Sequence, residues 1–368
     1  MKAIYSLERT DLENYFLNKG LPKYRATQVI EGLYRSKVQS FDEITNLKAE
    51  IKMMLKEDFD FGALKEEKVQ IASDGTTKFL FRLADGNLIE TVMMVQSYGY
   101  SVCVTSQVGC NMGCRFCASG ETKKIRNLEP FEMVLQVLTI DNYLEKQDKR
   151  VSHVVVMGIG EPFDNFDNVL KFINIINDAK GLAIGARHIT ISTCGLVDRI
   201  RDFSNYPLQV NLAISLHFAN NEKRSEYMPI NRKYPIEEVI DACKEYYKKT
   251  NRRLTFEYIL LDGVNDSIED AKELVKLVRH LNAYVNLIPY NETGKELSRT
   301  KIEKRDQFFS YLIQNHINAI VRKEHGTDID AACGQLRVNT IKEEEKEANG
   351  LHITRFGNKI NKWGIHRK

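Results

Sequence analysis

Three cysteines share the segment "GCNMGCRFC": Cys110, Cys114 and Cys117, with three and then two residues between them. Thiols this close together invite a metal. Structural zinc takes four closed ligands, so here it would need a partner such as His153, which is distant in sequence. An iron–sulfur cubane is normally held by four thiolates. With three, one iron keeps an open position for a substrate or cofactor, as a catalytic metal requires. Two more thiols stand apart, Cys103 in "SVCVTSQVGC" and Cys333 in "AACGQL". Of the seven cysteines, Cys243 shares a helical face with Val239 and Ile240 and reads as core, and Cys194 reads as structural.

Such a loop has to be positioned, and the chain from residue 101 onward supplies the elements. "SVCVTSQVG", "HVVVMGIGEP", "HITISTCG", "VNLAISLHF", "RLTFEYILLDG" and "YVNLIPYN" are strand-like, and "AIVRKEHG" is a candidate last strand. Amphipathic helical segments such as "PFEMVLQVLTIDNYLEK" and "SIEDAKELVKLVRHL" fall between them. The strands are rich in Val and Ile, as strands covered on both faces should be. The alternation predicts a complete or partial βα barrel over residues 101–340. In such barrels the chemistry sits on loops after the strands. The polar and Gly-rich stretches "GCNMGCRFC", "GIGEP", "STCG", "SLH" and "PYN" fall there, on different strand ends that can converge.

Ahead of the barrel, residues 1–68 read as an accessory helical domain, with Val29, Ile30, Leu33 and Tyr34 on one face. Residues 69–100 read as a β-hairpin extension, because "SDGTT" and "ADGN" separate strand-like runs. Residues 341–368 are a tail whose last part, "HITRFGNKINKWGIHRK", is basic and carries the single tryptophan, Trp363. It is either a solvated tail or an arm combining phosphate attraction with a stacking ring. "TKKIR", just after the cysteine loop, is a candidate phosphate contact. A net charge of +3 is too small to establish a polyanionic partner and does not exclude a local basic groove. The N-terminal residues lack a signal-peptide core, and no apolar run is long enough for a membrane helix. The expected location is therefore the cytoplasm, where a disulfide framework is not expected.

The C-x3-C-x2-C loop after the first barrel strand is the hallmark of the radical S-adenosylmethionine superfamily. Phe116 and "GIGEP" strengthen that reading. Across nearly the whole chain, "SVCVTSQVGCNMGCRFC", "VVVMGIGEPFDN", "ISLH", "MPINRKYPI", "VNLIPYN" and "DIDAACGQL" closely resemble the RlmN/Cfr family of RNA adenine methyltransferases. The resemblance implies a [4Fe–4S] cluster on Cys110, Cys114 and Cys117, with S-adenosylmethionine on the open iron. It implies cofactor contacts from Gly160, Glu161, Ser192, Ser215, Leu216, His217 and Asn291. It further implies that Cys333 receives a methyl group from one cofactor molecule, and that a radical derived from a second activates this methyl for addition to adenine. Glu90 of "LIETV" would then remove a proton, and Cys103 would release the product through a transient disulfide with Cys333.

The substrates implied are adenine-2503 of 23S ribosomal RNA and adenine-37 of transfer RNA. A flavodoxin- or ferredoxin-like electron donor, no membrane and a monomer are implied with them. Carbon 2 is favoured over the carbon 8 of the resistance-conferring branch by Val108, Pro162 and Pro289, whose local wording looks like the housekeeping branch. Two readings of other classes remain. One is a non-catalytic iron–sulfur or zinc RNA-binding protein, against which the pair Cys103 and Cys333 argues. The other is a radical enzyme for a small molecule, against which the N-terminal segment and "AACGQL" argue.

Overall fold

The computed structural model describes residues 1–292, 296–330 and 334–346. Cys333 and the basic tail with Trp363 lie outside the described residues.

The N-terminal residues form β1 (Lys2–Ala3), α1 (Arg9–Asn18), α2 (Tyr24–Tyr34), α3 (Ala49–Asp58) and β2 (Phe59–Asp60). β1 and β2 pair in parallel, so the two ends of this unit meet. Helix α1 starts on a capping box between Glu8 and Asp11. The expected face of α2 is buried, with Val29, Ile30, Leu33 and Tyr34 all 5% exposed or less. These residues belong to the same hydrophobic cluster as the barrel core. At the seam, the Arg9 guanidinium donates to both oxygens of Asp178 at 2.8 and 2.6 Å, a bidentate pair. The helical unit is therefore built against the barrel.

Next come β3 (Lys65–Ile71), β4 (Thr77–Arg82) and β5 (Leu88–Gln96), antiparallel and joined at the two expected turns. They lead into β6 (Gly99–Cys103), which pairs with β5. The predicted strand "SVCVTSQVG" is interrupted after Cys103. There the Ser106 and Gln107 amides turn to the carbonyl of Ile159, and a short β7 (Gln107–Val108) pairs instead with β8 (Arg126–Asn127). That break frees the cysteine loop from the sheet.

The remaining elements alternate as the sequence predicts: α4 (Pro130–Glu145), β9 (Val151–Val156), α5 (Phe166–Asn177), β10 (Ile189–Thr193), α6 (Val197–Phe203), β11 (Asn211–Ser215), α7 (Asn221–Tyr227), α8 (Ile236–Thr250), β12 (Leu254–Leu260), α9 (Ile268–Val278), β13 (Ala283–Pro289), α10 (Ile302–Gln314) and β14 (Asn318–Val321). Pro130 opens α4 at a position whose missing N–H costs nothing. A further helix, α11, covers 335–346 and runs across residue 340, where the sequence reading ended the barrel.

One ten-stranded sheet results, in the order β14-β13-β12-β11-β10-β9-β6-β5-β4-β3. From β6 to β14 all pairings are parallel, and β5, β4 and β3 extend the sheet antiparallel. The sheet does not close on itself, so the barrel is partial. Across the gap between its edges, the chain after β14 reaches the β3–β4 hairpin. Asp328 accepts from the Ser73 amide at 2.9 Å, and Gln70 donates to the Asp330 carboxylate at 2.9 Å. Among the described residues no helix is long and apolar enough to cross a membrane.

Candidate active site

The cysteine loop hangs from the end of the sheet by main-chain bonds. The Cys110 amide donates to Thr122, Cys117 to Cys114, and Arg115 to Tyr227. Cys110, Cys114 and Cys117 line one pocket together with Cys103. Among the described residues no three His, Cys, Asp or Glu side chains converge tightly enough to hold a single metal ion. The three thiols line one pocket together, an arrangement that suits three ligands of one cluster. His153, the zinc alternative, is stacked on His188 with ring centroids 4.3 Å apart and does not line this pocket. Burial pushes the Cys110 thiol up to about 12 and the Cys114 thiol up as well. Loading the site therefore means losing thiol protons to the metal.

Opposite the thiols stands "GIGEP". Gly160 has φ +107°, and a Cβ there would come within 2.6 Å of Gln107. Only glycine lets this loop pass so close to the neighbouring segment. Glu161 is buried, its own amide donating to the Gln107 side chain at 2.9 Å. Its two oxygens accept from the amides of Phe163 (3.0 Å) and Cys194 (2.8 Å). Burial still raises its pKa, with these hydrogen bonds opposing. A carboxylate so desolvated favours an incoming ammonium group.

On the adjacent strands β10 and β11, the Ser192 and Ser215 hydroxyls are 3.1 Å apart, and both line the pocket. His217 follows with φ +61°, a conformation uncommon outside glycine. Its Nδ1 accepts from the Ile259 amide at 3.1 Å, so the ring proton sits on Nε2. Burial, and then the nearby Arg224 charge, lower its pKa to about 3. The ring is therefore neutral near pH 7 and presents an N–H donor. Asn291 also lines the pocket.

Leu216 does not. Its side chain is fully buried in the main core, and it serves the site through its backbone, whose carbonyl accepts from Arg224 Nε at 3.2 Å. Arg224 is itself completely buried and also donates to the Cys194 carbonyl (2.6 Å) and Asn231 Oδ1 (2.8 Å). It ties the loop after β10 to the loop after β11. Glu90 is buried behind the pocket wall and is not among its lining residues. It lies on β5 two residues before Val92, which stands opposite Cys103. Its partners are Lys78 Nζ at 3.2 Å and the amides of Gly334 (2.8 Å) and Arg337 (2.6 Å). In "TKKIR", Lys124 pairs with Asp164 at 2.7 Å, and Arg126 with Asp85 and Glu132, so these two cations are held internally.

Sequence reasoning passed over Lys78, Arg224 and Glu257. Glu257 lines the pocket, is 5% exposed, and accepts from Asn286 at 2.8 Å. A signal existed for Lys78. It is a lysine inside the apolar run "TKFLF", and a hairpin turn at "ADGN" brings it near Glu90 on the same face.

A partial βα barrel whose pocket is lined by three neighbouring thiols and a buried glutamate points to the class. Residues 104–278 match the radical SAM superfamily, and residues 3–60 match the ribosomal RNA large subunit methyltransferase N-terminal domain. A "probable dual-specificity RNA methyltransferase RlmN" from Streptococcus mutans is 55% identical over 94% of this chain and 98% of its own length. One from Streptococcus sanguinis is 54% identical over 94% and 97%. The crystal structure of a radical SAM methyltransferase from Sphaerobacter thermophilus superposes with a TM-score of 0.86, at 41% identity, over 91% of this chain and 99% of that one. The chain belongs to the RlmN family of radical SAM methyltransferases. Its cofactors are accordingly a [4Fe–4S] cluster and S-adenosylmethionine. The three thiols, the Gly160 cradle and Glu161 fit them.

Proposed function

We propose that this chain methylates carbon 2 of adenine in RNA, at adenine-2503 of 23S ribosomal RNA and adenine-37 of transfer RNA, with Cys333 carrying the methyl group. One observation carries this reading. Cys103 lines the same pocket as the three cluster thiols, and both flanks of Cys333, at Asp330 and Gly334, are bonded to side chains of the strands beside it. A binding protein has no need of such an arrangement. The relatives are named dual-specificity RNA methyltransferases, which supports RNA as the substrate class.

The bound cofactors supply a methyl group and one-electron chemistry. The residues of the chain do the rest. Glu161 holds the cofactor's ammonium group, and His217 Nε2–H, Ser192, Ser215 and Asn291 orient it. Glu90 accepts the proton from the methylated carbon of the covalent adduct. Cys103, as thiolate, then attacks the sulfur of Cys333. The sulfur–carbon bond breaks toward the base, whose freed methylene takes up a proton from solvent to become the methyl group, and a Cys103–Cys333 disulfide remains for an external thiol to reduce. Electrons for the cluster come from a flavodoxin- or ferredoxin-like donor, and the enzyme acts as a monomer in the cytoplasm.

Preference for carbon 2 rests on Pro162 and Pro289. Both line the pocket and fix backbone direction, Pro162 directly after Glu161 and Pro289 two residues before Asn291. The test is nuclease digestion and mass spectrometry of ribosomal and transfer RNA from strains with and without the gene. 2-Methyladenosine should appear in both RNAs only when the gene is present. 8-Methyladenosine as the main product, or no change in either RNA, would overturn the proposal.

A further inference from the structure

The antiparallel extension carries a buried ion pair aimed at the C-terminal segment. Lys78 on β4 is 1% exposed and Glu90 on β5 is 3% exposed, with Nζ 3.2 Å from the carboxylate. The register explains how they meet. Lys78 stands opposite Val92, and Val92 stands opposite Cys103, so one row of side chains crosses β4, β5 and β6 from Lys78 to Cys103. Glu90 is two residues from Val92 and shares that face.

Each member of the pair reaches a different flank of Cys333. Lys78 Nζ donates to the Asp330 carbonyl. The Glu90 oxygens accept from the Gly334 and Arg337 amides at the start of α11, where a carboxylate complements unpaired N–H groups. Gln70 adds bonds to Asp330 in both directions, donating to its carboxylate at 2.9 Å and accepting its amide at 3.3 Å. The Arg337 guanidinium donates to the Leu88 carbonyl at 2.7 Å. The chain entering and the chain leaving residues 331–333 are thus pinned to one ion pair.

We propose that Lys78, through its pair with Glu90, is the positioning residue that fixes both flanks of residues 331–333, at Asp330 and at the start of α11, to β4 and β5. It rests on the reading of Cys333 as the methyl-carrying thiol. Lys78 does not react. It makes Glu90 and the Asp330 carbonyl parts of one rigid unit, and so couples cofactor consumption to methyl transfer.

The experiment uses the full chain, reconstituted with its cluster, as wild type, Lys78→Met, Lys78→Arg and Cys333→Ala. Three quantities are read in each: bound iron, 5′-deoxyadenosine formed under reductant, and methylated RNA formed. Lys78→Met should keep its iron and its cofactor cleavage but lose about tenfold or more in methylated RNA, because a displacement on the order of 1 Å is enough for that. The ratio of deoxyadenosine to methylated RNA should rise by the same factor, and Lys78→Arg should recover most of it. A Lys78→Met enzyme with the wild-type ratio would overturn the proposal. So would a parallel loss of cleavage and methylation that arginine does not rescue. If Lys78→Met does not hold iron, Gln70→Ala decides. It loosens only the Asp330 flank, so a raised ratio supports the clamp and an unchanged ratio refutes it. Cys333→Ala separates the two claims: a variant that still methylates RNA removes the carrier reading itself, whatever Lys78 does.

Discussion

The two halves of the pocket are built by different means. On the barrel side, Glu161, Ser192, Ser215 and His217 sit at or just beyond strand ends whose register is fixed by parallel pairing over a continuous core. On the other side, residues 322–330 and α11 touch the sheet through polar contacts: Asp74 to the Gly326 amide, Gln70 to Asp330, Lys78 to Asp330, and Glu90 to Gly334 and Arg337. Among the described residues a small apolar cluster, Leu80, Leu88 and Leu336 with Ile341 against it, assists. The first half resists change because moving it means moving the core. The second can be loosened one bond at a time. The proposed mechanism calls for both, since in it the cofactors stay put while a thiol serves a cofactor and then an RNA base.

The largest expected effects separate the halves outright. Changing any one of Cys110, Cys114 or Cys117 to Ala should strip the cluster, from about four irons per chain, and abolish activity. Changing Cys103, which lines the same pocket, should leave iron intact. Because formation of the adduct precedes release, Cys103→Ala should instead accumulate a covalent protein–RNA species, visible as a retarded band that nuclease removes. Normal turnover by Cys103→Ala, with no trapped RNA, would remove it from the mechanism.

Legibility followed the same division. The cysteine loop, "GIGEP" and "SLH" could be read because each motif is contiguous and its place after a strand follows from alternation. The two Asp-Gly turns gave the extension. Lys78 and Glu90 were harder. Their pairing depends on the register across a hairpin, and their function on contacts reaching more than 240 residues along the chain. Leu216 is a cofactor contact that the resemblance implies, and its side chain lies in the core. At a strand end neighbouring residues face opposite ways, and Leu216 faces the core. The seven-residue helices α6 and α7 were not predicted, being too short to show a period.

Next in size is the tie within the barrel half. Arg224→Met removes a buried guanidinium that donates to the Leu216 and Cys194 carbonyls and to Asn231. Three acceptors lose their donor, partly offset by no longer burying a charge. The expected loss is about 2–4 kcal/mol, read as a lowered denaturation midpoint. Arg224→Lys should recover little, because one ammonium cannot reach three acceptors in a fork. A stability like that of the wild type would show that the strand ends hold without the tie.

A smaller effect tests the pH dependence of the same half. The folded pKa of His217, about 3, is below that of an unfolded histidine, near 6.5. The unfolded chain therefore binds the extra proton first. This contribution is fully present above about pH 6.5 and is lost as pH falls from there toward 3. Between pH 7 and pH 5 it amounts to roughly 2 kcal/mol. His217→Asn, whose side-chain oxygen can accept from the Ile259 amide, should lose that much less over this interval. Equal acid sensitivity in the two proteins would mean that the histidine is not held neutral.

The smallest effect concerns the surface where the halves meet. Asp85, in the turn between β4 and β5, accepts from Arg126 Nε at 2.6 Å, and Arg126 also pairs with Glu132 of α4. Burial acts to raise the Asp85 pKa, but the Arg126 hydrogen bond and the Asn87 amide outweigh it and hold it at about 2. A depressed carboxylate contributes stability above its unfolded pKa near 4, and that stability is lost as pH falls toward 2. The window begins near pH 4, below the steep part of the one set by His217 between pH 6.5 and 4, so titration over that upper range distinguishes them. The Asp85 side chain is 38% exposed, so solvent screens the pair and Asp85→Asn should cost less than about 1 kcal/mol at pH 7. It should also leave the ratio of deoxyadenosine to methylated RNA unchanged. The extension is joined to the barrel by the β5–β6 ladder over five residue pairs, and this ion pair only decorates the join. A marked rise in that ratio on changing Asp85 would mean that the turn, and not the Lys78 row, fixes the flanks of residues 331–333.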